Sequence, residues 1–146
     1  MAVLKRTPCV GICSTTYGDL VCRGCKRFAH EIVMWNGFTD QQRALVWDRL
    51  YSLLDSCVAG FVRVVDEQQL REAAGHLRVI DVDQLSLESL AFEVLRRSAR
   101  RTATLSSLGL AAETDDSPGM ILESIEQDFY LRSLARYERD FRTPAN

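Results

Sequence analysis

Four cysteines crowded between Cys9 and Cys25 constrain this chain more than any other feature. The stretch CVGICSTTYGDLVCRGC spaces them as Cys-x3-Cys, eight intervening residues, and Cys-x2-Cys. A buried free thiol is ordinarily a small apolar core residue. That explanation fits poorly here, because the stretch carries glycines and polar residues rather than a hydrophobic run. Two pairs of soft ligands at short spacing can instead close on one tetrahedral metal ion or on an iron–sulfur cluster. Cys9, Cys13, Cys22 and Cys25 are therefore the expected ligand set, with Zn(2+) or an iron–sulfur cluster as the expected cofactor. Gly11 and Gly24 are expected to turn the backbone between each pair, with N–H groups aimed at the sulfurs.

The fifth cysteine, Cys57, falls on the inner face of a predicted helix and reads as packing. An odd number of cysteines argues against a fully paired disulfide scaffold and for a reducing compartment. The start MAVLKRTPCVGIC is too short and too polar to read as a signal peptide, and no apolar run is long enough to span a bilayer. The expectation is an intracellular, cytoplasmic protein with no membrane role. Four thiolates around a divalent zinc or an oxidised two-iron cluster leave about two negative charges. Lys5, Arg6, Arg23, Lys26 and Arg27 stand ready to offset them.

Beyond Cys25 the pattern turns helical. Phe28, Ile32 and Trp35 recur at helical spacing until Asn36-Gly37 breaks the run. Thr39 followed by Gln42 is a capping box that opens a helix from about Asp40 to Val58. The two helices should form a hairpin, which gives a first region, 8–58, of metal loop plus helical hairpin. The second region, 60–146, reads as mostly helical, with candidate strands near 61–65 and 77–82. A short helix from Asp66 to Gly75 lies between those strands. A helix capped by Ser86 or Asp83 carries Leu87, Leu90, Ala91, Val94 and Leu95 on one face, and a loop covers 102–118. A last helix runs from about Gly119 to Phe141. The fold class is mainly α with a small four-cysteine metal-binding N-terminal knuckle, and one short β pair would make it α+β.

The remaining chemistry is thinner. His30 and His76 read as solvated helix residues, and Asp66, Glu67, Asp81 and Asp83 as caps and turns. Trp35 and Trp47 fall on apolar helix faces. Arg96, Arg97, Arg100 and Arg101 suit the carbonyl end of a helix and also offer a contact for nucleic acid or an acidic partner. No nucleophile–base set, phosphate loop or dinucleotide fingerprint is present, so the chain is not expected to be a catalyst by itself. An active site within 60–146 stays open as a third reading.

On spacing alone both cysteine pairs suit structural zinc, and neither matches the common ferredoxin runs. The string PCVGIC, then GDLVCRGCKR, then EIVMW resembles the short bacterial family numbered 1289 among the domains of unknown function, described as predicted iron–sulfur proteins. The resemblance covers about residues 8–54 and includes Pro8, Gly11, Gly24, Arg27, Glu31 and Trp35. It implies that the four cysteines hold a cluster or metal and that Glu31 and Trp35 belong to the supporting helix. Two functions follow as expectations. One is a small iron–sulfur accessory protein in electron transfer or redox sensing, working with a protein partner. The other is a structural-zinc adaptor for protein or nucleic acid.

Overall fold

The computed structural model describes residues 7–11, 13–99, 101 and 103–142. Within them five α-helices carry most of the chain, and two short strands pair antiparallel. The described chain divides into two compact units, residues 7–53 with 128–142, and residues 54–127. The mainly α reading with one small β pair holds.

In the first unit, α1 (Ala29–Met34) is short and passes directly into a 3-10 turn that contains Asn36-Gly37. Its opening is secured by Glu31, whose carboxylate reaches back to accept the Phe28 N–H at 2.8 Å. After a 3-10 turn at Trp35–Gly37, the chain enters α2 (Asp40–Ala59). The predicted capping box is formed reciprocally: Thr39 Oγ1 accepts the Gln42 N–H at 3.1 Å, and Gln42 Oε1 accepts the Thr39 N–H at 2.8 Å. Arg43 then ties the two helices by donating to the carbonyls of Trp35 (3.0 Å) and Asn36 (3.2 Å). The Trp35 carbonyl also accepts the Phe38 N–H at 3.2 Å, so the arginine adds a second bond there and takes up the Asn36 carbonyl at the end of the turn. Val46, Leu50, Leu54, Cys57 and Val58 are buried along α2, three or four residues apart for the most part, as one face of a helix is.

The unit 54–127 holds β1 (Arg63–Val64), α3 (Glu67–His76), α4 (Leu87–Ser98), β2 (Leu110–Ala111) and the first half of α5 (Pro118–Tyr137). Asp66 caps α3 by accepting the Gln69 N–H at 3.0 Å, and Ser86 caps α4 by accepting the Ser89 N–H at 3.0 Å. Leu90, Ala91, Val94 and Leu95 of α4 are fully buried together with Leu70 and Ala74 of α3. Asp55 receives the hydroxyls of Ser86 (3.0 Å) and Ser89 (2.7 Å), which anchors the start of α4.

Two expectations fail here. β1 lies inside the expected 61–65 stretch, but 77–82 is not its partner and is not a strand. Arg78 and Asp81 sit in the left-handed region at φ 60° and 56°, which an extended strand cannot include, and a 3-10 turn follows at Val82–Gln84. The partner is β2, in the stretch expected to be loop, with Arg63 opposite Ala111 and Val64 opposite Leu110. Gly109 makes that pairing reachable. Its φ is 76°, and a Cβ there would lie 2.4 Å from the Asp66 carbonyl oxygen, so the backbone approach leaves room for glycine alone.

α5 opens after Ser117, whose Oγ accepts the Met120 N–H at 3.3 Å, with Pro118 as its first residue. Ile121, Ile125 and Phe129 form its buried line. The helix widens into a π-type turn at Glu138–Arg142.

Candidate metal centre

The second cysteine pair sits in a tight hairpin. Val21 and Phe28 form an antiparallel bridge, the Cys22 N–H donates to the Arg27 carbonyl at 2.9 Å, and the Lys26 N–H returns to the Cys22 carbonyl at 2.8 Å. The residue that turns the hairpin is Lys26, at φ 65°, and not Gly24, whose φ is not positive. This corrects the expectation from sequence. A left-handed residue directly after the second cysteine folds the chain back, and Lys26 accepts that strained backbone while being almost wholly buried. Its ammonium group donates to the Gly24 carbonyl at 3.0 Å and stands 5.2 Å from the centre of the Phe129 ring.

The consequence of this turn is a polarised sulfur. Burial pushes the Cys22 thiol up, but the N–H groups of Cys25, Ser14 and Gly24, with the Cys25 side chain, outweigh it and bring the thiol down to about 7. Ser14 follows Cys13 directly, so backbone from the first cysteine pair reaches the sulfur of the second. The Arg23 N–H also donates to Ser14 Oγ at 2.8 Å, a second tie between the two segments. Burial pushes the Cys25 thiol up, and the Arg27 side chain opposes that with a hydrogen bond from Nε at 3.3 Å and with its charge.

The first pair is more open. Cys9 is exposed and its sulfur accepts the Gly11 N–H at 3.4 Å; Gly11 has φ 95°, the positive value expected of it. Cys13 is half-buried with Thr15 Oγ1 at 2.8 Å, and it precedes a 3-10 turn (Ser14–Tyr17) that ends at left-handed Gly18. None of the four cysteines is in a disulfide. Among the described residues no group of three or more His, Cys, Asp or Glu side chains is arranged to hold a metal ion, so the four-cysteine knuckle stays an expectation from sequence. The donor chemistry suits a soft metal at the Cys22–Cys25 end, where N–H groups favour the Cys22 thiolate and the Arg27 guanidinium offsets part of the burial that raises Cys25.

Glu31 and Arg49 form the main ion pair behind the hairpin. Arg49 Nη1 meets Glu31 Oε2 at 2.5 Å and Nη2 meets Oε1 at 2.7 Å, with the guanidinium 4.1 Å over the Phe28 ring. The last part of α5 and the turn after it add an aromatic cover: Tyr137 and Phe141 pack edge-on against Phe28 at 5.4 and 5.5 Å, and Tyr130 receives the Arg23 guanidinium at 4.3 Å. The sequence shows Tyr130, Leu134, Tyr137 and Phe141 as an apolar line, but nothing in it says which segment they meet.

The other candidates are placed plainly. His30 is exposed beside the Phe141 ring and His76 is exposed near the end of α3. Asp81 and Asp83 are exposed, and Glu67 pairs with Arg71 at 3.1 Å. Trp35 is buried, and Trp47 stacks on Tyr51 with ring centres 5.6 Å apart. Cys57 is fully buried and belongs to the unit 54–127. Arg96 and Arg97 both reach Glu93, at 3.1 and 3.8 Å, and Arg101 is exposed. Lys5, Arg6 and Arg100 lie outside the described residues. Sequence gave no hint of a cavity of about 350 Å³ lined by Gln69, Glu72, His76 and Arg101 among others. Among the described residues, no helix is long and apolar enough to cross a membrane.

No curated protein and no solved structure matches this chain. Over residues 7–53, which hold all four cysteines, Glu31, Trp35 and Arg49, the chain matches the family described as "Protein of unknown function (DUF1289)", the family that its cysteine spacing resembles.

Proposed function

We propose that Cys9, Cys13, Cys22 and Cys25 hold one iron–sulfur cluster and that the protein is a small electron-transfer or redox-sensing accessory to a protein partner, not a catalyst by itself. The observation that carries this reading is the Cys22 sulfur, which receives N–H groups from its own hairpin and from Ser14 beside Cys13. Hydrogen bonds of that kind stabilise metal-bound thiolate and tune a cluster's potential. Elemental analysis of anaerobically purified protein tests the reading. Stoichiometric iron and sulfide, with visible absorption that bleaches in air, are expected.

A second reading is structural zinc in a protein or nucleic-acid adaptor. It is favoured by the spacing of both pairs and by burial of Cys22 and Cys25, which leaves a metal closed to substrate. Colourless protein with one zinc per chain would select it and overturn the cluster. Within that reading, nucleic-acid binding through Arg96, Arg97, Arg100 and Arg101 would weaken steeply with salt and fall on replacing Arg96 and Arg97 by Ala. The attachment of both Arg96 and Arg97 to Glu93 weighs against it.

Under either reading Cys22→Ala or Cys25→Ala abolishes stoichiometric metal, while helical circular dichroism from α2 onward is retained. Full metal content in both variants would remove these residues from the ligand set.

A further inference from the structure

Every arginine described in residues 7–53 except one holds a carboxylate. Arg23 pairs with Asp19 at 3.2 Å, Arg43 with Asp40 at 3.1 Å, and Arg49 with Glu31 through both of its terminal nitrogens. Arg27 has no carboxylate partner among the described residues. It is also deeply buried, with 4% of its surface exposed. Its Nε donates to the Cys25 sulfur at 3.3 Å, and its guanidinium carbon lies 4.8 Å from the centre of the Trp35 ring. A buried cation is costly unless an anion or a polarisable face compensates it. Trp35 supplies the face, and the sulfur of Cys25 is the group that can supply the anion.

We propose that Arg27 is the charge-compensating and positioning residue of the metal centre, holding the Cys25 sulfur in place as a metal-bound thiolate from a fixed seat on Trp35. The proposal rests on the metal reading above and adds to it a residue that touches no metal itself. Direction and planarity both enter. The Nε–H directs one hydrogen bond to the sulfur while the guanidinium carbon stands over the indole ring, so the sulfur is addressed from a fixed direction. A lysine in the same place would keep the charge but lose the fork and the stack. The hydrogen bond also withdraws electron density from the sulfur, which lowers the energy of its lone pairs and makes it a weaker donor to the metal.

The test titrates the metal-free full-length chain with cobalt(II) chloride under anaerobic conditions, for the wild type, Arg27→Met and Arg27→Lys. Arg27→Met should bind cobalt about 10- to 100-fold more weakly, as loss of an outer hydrogen bond to a ligand typically does. Its sulfur-to-cobalt charge-transfer band should move to longer wavelength, while the intensity of the ligand-field bands stays tetrahedral. Arg27→Lys should recover part of the affinity and keep a shifted band, because it restores charge without the Nε–H. That band shift is a signature that a packing role alone does not produce.

If Arg27→Met fails to fold, Arg27→Lys carries the test: its band shifts relative to wild type if the proposal holds. Affinity and band position equal to wild type in Arg27→Lys, with Arg27→Met either equal or unfolded, would overturn the role of Arg27 and leave the metal reading intact. A wild-type chain that takes up neither cobalt(II) nor, on anaerobic reconstitution with iron(II) and sulfide, a cluster would overturn the metal reading, and this proposal with it.

Discussion

Glu31 carries more of the cysteine unit than its place in the sequence suggests. One carboxylate accepts the Phe28 N–H at the start of α1 and grips both terminal nitrogens of Arg49, eighteen residues away on α2. Removing one partner of such a buried pair leaves the other charge uncompensated, which typically costs more than the pair contributes. Glu31→Gln keeps the shape and the cap but takes away the charge, so we expect a loss of about 3 kcal/mol in denaturant unfolding. A loss below the level of an ordinary surface pair would mean that Arg49 finds another partner. The sequence marks Glu31 only through family resemblance, because pairing between distant positions on two helices leaves no periodic signal. Lys26 is a similar case. Nothing in its side chain announces a left-handed backbone, and the glycine two residues earlier is the natural but mistaken choice.

At the scale of elements, legibility follows locality. The Thr39–Gln42 box, the Asp66 and Ser86 caps and the Ile121–Ile125–Phe129 line are all set by residues within a turn or two of one another, and all of them form as the sequence indicates. The strand pair is the counterexample. Leu77–Val82 has the composition of a strand, yet two left-handed residues interrupt it, while two-residue β2 is too short for any period to register. What selects β2 is the space beside Gly109, whose carbonyl accepts the N–H groups of Val65 (2.9 Å) and Asp66 (3.2 Å). Gly109→Ala would place a methyl group 2.4 Å from the Asp66 carbonyl and force an unfavourable φ. We expect a cost of about 3 kcal/mol, seen as a lowered thermal midpoint, with metal content unchanged. A wild-type midpoint would show that the Asp66 turn yields easily. The candidate site divides in the same way: the ligand types and spacing are readable, but the sulfur contacts of Ser14 and Arg27 depend on a hairpin that the sequence does not draw.

For the molecule as a whole, the cysteine unit is assembled from two distant pieces of chain. Residues 7–53 carry the thiols and the ion pair, and residues 128–142 bring Phe129, Tyr130, Tyr137 and Phe141 to the same unit. The family match ends at residue 53, so the aromatic cover lies outside it. Phe129→Ala removes a buried ring and the face that Lys26 lies over, and should cost about 3 kcal/mol. Amide hydrogen exchange at residues 20–29 should rise in that variant more than exchange in α4; uniform change across both would mean that the ring serves the whole chain equally. The two-piece construction also sets an order of events as the chain is made. The thiols leave the ribosome before residues 54–127, whereas the rings that pack on Phe28 emerge only after them. Until then Phe28, Arg23 and Lys26 lack the rings they pack against, so the hairpin completes its packing only once the last helix has been made.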